Sequence, residues 1–520
     1  MRSQALALVL PAALAVAPAS AAPPAGARTL ARSVLEDKIR GGWAGQMIGV
    51  SYGAPTEFRS NGRILEGPIA WRPEQVAGAI DQDDLYVEMT FAEVMDRFGL
   101  DATSEQYGAM FRDSRYNLWH ANAAARRLLN QGVKPPLTGD PQRNAHANDI
   151  DFQIESDFIG LMCPGLPREA NRYAERVGRV MNHGDGLYGG MFFSGMYAAA
   201  FFASDPRAVV EAGLRSIPAE SGYARAIRDV LAGHSRYPNE WRKTWTLVTE
   251  RWDKNDPCPD GALRPFNIDA RLNGAYVALG LLYGGGDVAK TLEVATRAGQ
   301  DSDCNPSSAL GVLGVMLGYA RIPDQWKSGI PRIAATPFSY TTFSFDTIVA
   351  STLARALRVI EGAGGGVGSS ELTVPRQAAL PPPLEQWTPD PPTARLELSD
   401  VGWTWGEGWG EHAQKADGSE RRVRAAASAG AECRLRFEGT GIALVGTMSQ
   451  AGGRADVLLD GRASGRIDAW VPPSTHDNDL WHATGLRPGP HEVRVVLRAD
   501  RDERSTGGEV VIESAIVYGR

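Results

Sequence analysis

Between Leu30 and about Ile360, apolar residues recur at three- and four-residue spacings, the period of helices that bury one face. "DVAKTLEVATRA" sets Val288, Leu292, Ala295 and Ala298 on one stripe, and Gly299 after the basic Arg297 marks a C-terminal stop. "DPRAVVEAGLRSI" opens on an Asp205 cap with Pro206 in the first turn, "SGYARAIRDVLAGH" opens on a Ser221 cap, and "REANRYAERVGRVMNH" carries the same period. Alternating runs are missing from this stretch, and Ala and Gly are frequent enough for close helix contact. Residues 30–361 therefore predict an all-α domain. Residues 362–394, with "GAGGGVGSS" followed by "PRQAALPPPLEQWTPDPP", have no apolar period and read as a linker, part flexible and part extended. In residues 395–520 the period changes to two: "ECRLRFEGTGIALVGT", "RADVLLDGRASGRI", "HEVRVVLRAD" and "EVVIESAIVYG" alternate between Gly, Asp and Pro turns. The predicted architecture is multidomain, a helical body followed by an all-β, jelly-roll-like sandwich.

Composition narrows the class. The 520 residues are 43% hydrophobic and 22% charged, an ordinary globular balance with room for more than one domain. The 54 basic and 61 acidic residues leave a net charge of -7 without a basic run, which argues against nucleic acid as a partner. Residues 1–21 read as a secretory signal peptide: one basic residue, an apolar stretch from Ala5 to Ala17, and Ala19-Ser20-Ala21 as a small-residue cleavage site. No later run is apolar enough for stable membrane insertion, so the expected location is secreted or periplasmic. The four cysteines, Cys163, Cys258, Cys304 and Cys433, are widely separated. Export permits a disulfide without assigning one, and the absence of a C-x-x-C pair leaves sequence spacing no structural zinc site. In "GWTWGEGWGEH", Trp403, Trp405 and Trp409 either stack on sugar rings or pack the sandwich.

Two acidic segments carry the candidate chemistry. "GQDSDCNPSS" puts Asp301 and Asp303 in a tight inter-helix loop, with Asn305 as the expected cap and Pro306 in the first turn of the next helix. Carboxylates that converge in such a loop repel unless a cation or a helix N-terminus offsets them, and oxygen ligands point to magnesium, manganese or calcium. A calcium EF-hand is excluded because its sixth-position glycine is Pro306 and its twelfth-position glutamate is Val312. "AIDQDDLYVEMTFAEVM" supplies Asp81, Asp83 and Asp84 where another helix begins, with Leu85, Met89 and Val94 pointing inward. "GVSYG" matches G-x-S-x-G around Ser51, but a helical pattern precedes it where a nucleophile elbow needs a strand, and H-E-x-x-H does not occur.

With "DKIRGGWAGQMIGVSYGAPTEF" near the start, "DQDDLYVE" and "AGQDSDCNPSS" in order, the chain from Leu35 to Trp326 resembles the ADP-ribosylglycohydrolase family. The resemblance implies an all-α bundle with a dinuclear magnesium centre, Mn2+ being the alternative. Carried over by position, Asp83, Asp84, Asp301 and Asp303 bind one or two ions, Glu57 of "APTEF" is a ligand or positions water, and Glu57, Asp83 and Asp301 are the catalytic set. Four positions depart from the family pattern: Gln46 stands for an Asp, Gln82 and Leu85 for threonines, and Cys304 for Thr or Ser. In the middle of the chain Glu155, Asp157, His183, Asp185 and Tyr188 are candidates for a substrate wall, whereas Phe192, Phe193 and Tyr197 at helical spacing read as core. The implied activity is metal-dependent hydrolysis of an N- or O-glycosidic bond at a ribosyl-like sugar, on a small-molecule glycoside, an ADP-ribosyl conjugate or a glycan. Two alternatives stay open: a furanosidase acting on an extracellular glycan, and a glycan-binding protein without catalysis.

Overall fold

The computed structural model describes residues 26–519 apart from 255, 417–418 and 473–474, so the expected signal peptide lies outside the described residues. Sixteen α-helices run between Arg32 and Gly362 among the described residues, and one continuous hydrophobic core joins them. Several begin as the sequence predicts. Asp205 accepts from the Arg207 amide, Ser221 from the Ala224 amide, and Leu85, Met89 and Val94 are fully buried on the helix Asp83–Phe98.

The helix Arg32–Gly53 has a feature with a direct bearing on the site. Gly41, Gly45, Gly49 and Gly53 recur every fourth residue and form a side-chain-free stripe against the helix Cys304–Leu317. A Cβ on Gly45 would stand 2.2 Å from the Leu310 carbonyl oxygen, and one on Gly53 only 2.0 Å from that of Ser302. The two backbones touch, which seats the "GQDSDC" loop against the end of the first long helix.

Residues 362–394 are not a free linker. Gly366–Val367 and Glu371–Val374 form a small antiparallel sheet with Arg28–Ala31. The Pro-rich part then runs along the helical domain. Glu385 accepts from Arg179 Nη1 and Nη2 at 2.8 and 2.7 Å, the Leu380 amide donates to Asn171 Oδ1 at 3.2 Å, and the Trp387 carbonyl accepts from Asn148 Nδ2 at 3.3 Å. Proline has no amide to satisfy, so an extended Pro-rich strap docks through a few side-chain bonds without a ladder.

The β region is a nine-stranded antiparallel sheet folded over itself. Glu432–Met448 and Thr475–Leu497 pair along their length, with the register broken between Thr484 and Gly489. Beyond that break they take different neighbours, Trp403–Trp405 and Arg454–Leu459 in one layer, Val510–Tyr518 in the other. Leu435, Leu444, Val457, Val495 and Val517 fill the space between the layers. Trp403 and Trp409 are buried in this core, and Trp405 stacks on Trp403 at 4.6 Å, so the tryptophan cluster packs the sandwich and offers no open sugar platform.

The outer face of one layer, with Ala443, Val445, Ile516 and Tyr518, packs on Ala262 of the helical domain. Polar contacts seal the same seam. Arg127 donates to the Asp479 carbonyl and pairs with its carboxylate at 3.6 Å, and His482 Nε2 lies 2.9 Å from the Pro141 carbonyl. No helix among the described residues is long and apolar enough to cross a membrane.

Candidate active site

The loop that carries Asp301 and Asp303 is held in an unusual backbone. Gly299 and Gln300 both have left-handed φ, +85° and +56°. Gln300 is fixed there by its side chain, which accepts from the Asn267 amide at 2.9 Å and donates to the Pro265 carbonyl at 3.0 Å. The following helix starts at Cys304 with Asp303 as its cap residue, two positions before the expected Asn305 start. Proline is tolerated anywhere in the first turn, where amides have no helical partner, so Pro306 did not fix the boundary. Asp301 Oδ1 accepts from the Cys304 amide at 3.3 Å.

Asp83 and Asp84 occupy the first turn of the helix Asp83–Phe98. Cys304 Sγ donates to Asp84 Oδ2 at 3.2 Å, joining the two acidic motifs across 220 residues of sequence. Oxygens of Asp84 and Asp303 and the Cys304 sulfur lie within 4.8 Å of one another. Burial and the surrounding carboxylates push the Cys304 thiol well up, so it remains protonated and serves Asp84 as a hydrogen-bond donor, as a Thr or Ser hydroxyl would.

Asp83, Asp301 and Cys304 form the floor of a cleft of about 810 Å³, with Asp84 and Asp303 buried behind it. Glu57, Asp83, Asp301 and Cys304 line it from the helical domain, together with His120 and Asp151. The opposite wall belongs to the sandwich, with Met448, His476, Asp477 and Asp479. Glu57 follows a short 3-10 turn, Ala54–Thr56, and opens onto the cleft.

Burial dominates the electrostatics, and repulsion among the carboxylates adds to it. Asp301 is pushed up to about 7, and Asp84 and Asp303 well above the usual carboxylate range. Glu57 rises to about 8 through desolvation and the charges of Asp303 and Asp83. Asp84 Oδ1 and Asp303 Oδ1 are buried without a hydrogen-bond partner. Acidic oxygens that are crowded, buried and unpartnered are the donor set a hard divalent cation needs, so the residues fit such an ion.

The proposed substrate wall divides differently. Glu155 and Asp157 are buried beneath the floor and do not line the cleft: Glu155 accepts from Asn122, and Asp157 Oδ2 from Tyr197 at 2.7 Å and Ser308 at 3.2 Å. They join Glu88, which accepts from the Phe158 amide at 2.9 Å, in a buried acidic layer. His183, Asp185 and Tyr188 are not brought to the cleft either. His183 faces Glu385 at 3.2 Å, and Tyr188 donates to the Pro383 carbonyl at 3.1 Å, so both hold the strap. Asp185 accepts from the Tyr223 amide at 2.9 Å. Helical spacing alone does not say which side of a helix a docked strap will cover. Phe192, Phe193 and Tyr197 are fully buried core.

Sequence reasoning missed His120, Asp151 and the Phe58–Phe266 ring pair, whose centroids are 4.7 Å apart, because none stands in a motif. It also missed the sandwich as a wall of the site. The available signal was "IALV", Ile442–Val445, an unbroken apolar run in otherwise alternating strands, as expected where both faces of a strand are covered.

An all-α body with two carboxylate pairs at converging helix starts defines the class of protein. The sequence model of the family described as ADP-ribosylglycohydrolase matches residues 31–361, and the chain belongs to that family. A solved structure described as an ADP-ribosylglycohydrolase-related protein complex is similar over 63% of this chain and 99% of its own, at 15% identity and a TM-score of 0.44. A family 35 carbohydrate binding module from an environmental isolate is similar over 24% of this chain and 93% of its own, at 16% identity and a TM-score of 0.17. No curated protein matches the chain.

Proposed function

We propose that the chain is an exported, divalent-metal-dependent glycohydrolase that hydrolyses an N- or O-glycosidic bond at the anomeric carbon of a ribosyl-like sugar. The observation that carries this reading is the convergence of the two acidic motifs at one cleft: Asp83 and Asp301 line it, and Asp84 and Asp303 stand buried behind them with carboxylate oxygens left unpartnered. Asp83, Asp84, Asp301 and Asp303 are the residues that would hold Mg2+, or Mn2+ in its place. A bound divalent ion supplies Lewis acidity and lowers the pKa of water.

The remaining chemistry falls to this chain's own groups. Glycosidic cleavage passes through an oxocarbenium-like transition state, so water must arrive at the anomeric carbon as the leaving group departs. Glu57, open to the cleft beside the aspartates, is the group placed to accept the proton of that water, and it would do so as the carboxylate that forms above about pH 8 or once the charges of Asp303 and Asp83 that raise it are offset. Cys304 keeps Asp84 in one orientation, and the Gln300 amide contacts hold the Asp301 loop in its left-handed backbone. The sandwich wall, with His476 and Asp477, bounds the outer part of the substrate. Such a wall suits a glycan or an ADP-ribosyl conjugate that reaches beyond the cleaved sugar, and it favours the extracellular furanosidase as the second reading.

The test is to incubate the purified mature chain with Mg2+ and a panel of ADP-ribosylated peptides and aryl furanosides, and to assay released sugar. Asp301→Asn with Asp303→Asn is expected to lower turnover by at least about 10³-fold, the equivalent of the several kcal/mol a metal centre supplies, with helical circular dichroism intact. Full turnover in the double variant refutes the reading.

A further inference from the structure

A second cluster of ligating side chains lies at the seam between the domains, made of residues other than the four aspartates, and two of its members, His120 and His146, line the same cleft. Ligand atoms of His120, His146, Asp149 and Cys258 all fall within 4.8 Å of one another. His146 Nδ1 stands 2.8 Å from Asp149 Oδ2 and 3.1 Å from Cys258 Sγ. Ligands bound 2.0 to 2.3 Å from a tetrahedral ion stand about 3.3 to 3.8 Å apart, so this trio needs only a slight expansion to surround one. His146, Asp149 and Cys258 are buried, at 4%, 2% and 1% exposure.

The surroundings resemble a metal site in two further respects. His120 Nδ1 is held by Asp260 Oδ2 at 2.8 Å, which leaves Nε2 as the free nitrogen and reproduces the carboxylate–histidine pairing that orients metal-bound imidazoles. Acidic groups also crowd the cluster. Asp149, Asp151 and Asp256 are buried there.

We propose that His120, His146, Asp149 and Cys258 form a four-ligand zinc-class site that clamps the loop beneath the sandwich. Two imidazoles, a thiolate and a carboxylate suit a borderline-soft ion, whereas the aspartate floor suits a hard one. Four protein ligands close the shell, which makes the site structural. Its position gives that role a purpose: the Tyr518 hydroxyl donates to the Pro257 carbonyl at 2.8 Å and Arg395 to that of Pro259 at 2.7 Å, so the Cys258 loop is the ledge on which the sandwich rests. His120 opens the helix His120–Asn130, which carries Arg127 to Asp479. Sequence spacing could not reveal the site, because its ligands come from three separate segments.

The full chain, stripped with a chelator, is titrated with Co2+ and then with Zn2+. One Co2+ per chain is expected to give a thiolate-to-cobalt charge-transfer band that Zn2+ abolishes. Cys258→Ser should lose the band and Cys304→Ser keep it; a band that follows Cys304 overturns the proposal. Asp260→Asn, which leaves all four ligands in place, should weaken Zn2+ by about 10- to 100-fold. X-ray absorption on the zinc-loaded unsubstituted chain should show one sulfur among four ligands, a reading that needs no variant to fold. Absence of stoichiometric Zn2+, or a shell of oxygen alone, leaves only a hydrogen-bonded polar cluster and overturns the proposal.

Discussion

Removing the charge of Asp301 should change stability in a pH-dependent way that Mg2+ reverses. Asp301 is 3% exposed, and its pKa is raised from 3.8 to about 7, mainly by burial. An acid raised in this way binds more protons folded than unfolded, so its contribution is whole below about pH 4 and is lost as pH rises through about 7. Between pH 5 and pH 8 the loss spans about two pH units at about 1.4 kcal/mol each, or about 3 kcal/mol for this one group. Asp157, raised to about 8, adds in the same direction. The domain matched over residues 31–361 has an unfolding entropy of about 0.7 kcal/mol/K at about 2.1 cal/mol/K per residue, so 3 kcal/mol corresponds to about 4 °C. The assay is differential scanning fluorimetry of the chelator-treated chain and of Asp301→Asn at both pH values. The variant should gain about 4 °C on the unsubstituted chain between pH 5 and pH 8, a comparison in which titrating groups away from the Asp301 cluster cancel. Mg2+ binds the deprotonated carboxylates, so it should raise the Tm of the unsubstituted chain far more at pH 8 than at pH 5. An equal Mg2+ shift at both values, or a variant that tracks the unsubstituted chain across the range, refutes the reasoning.

Other outcomes follow from the same geometry. Glu57→Gln should lower kcat by about 10²- to 10⁴-fold, the usual share of a general base, while Mg2+ binding followed by calorimetry stays within a few-fold. Gly53→Ala places a methyl 2.0 Å from the Ser302 oxygen, so it should cost about 1 to 3 kcal/mol in urea unfolding and displace the Asp301 loop, with activity falling more than stability. Asp479→Ala strands the buried Arg127 and removes a partner of His482. About 3 to 5 kcal/mol should be lost, with a rise in KM as the sandwich wall loosens, both measurable on the full chain.

How much of this was legible beforehand differs from element to element. The Asp205 and Ser221 caps and the inward stripe of Leu85, Met89 and Val94 are local facts, set by a side chain and its own helix, and they stand where the pattern put them. The start of the Cys304 helix was misplaced because proline does not distinguish first-turn positions. The sequence offers His183, Tyr188 and Glu155 as a substrate wall because they stand in the middle of the chain between the acidic motifs, and a polar side chain there carries no direction of its own. One faces the strap, one holds it, and the third lies under the floor.

The sequence by itself determined the two periods, 3.6 and 2, and hence a helical body followed by a sandwich. It also placed two carboxylate pairs at helix starts, where an N-terminus tolerates negative charge. Only the tertiary structure decided that those pairs meet, that the glycine stripe of the first helix presses the Asp301 loop into place, and that the sandwich closes the far side of the cleft. The reason is range. Capping and periodicity act over a few residues, whereas the burial that raises these carboxylates and joins the domains depends on backbones brought together from across the chain.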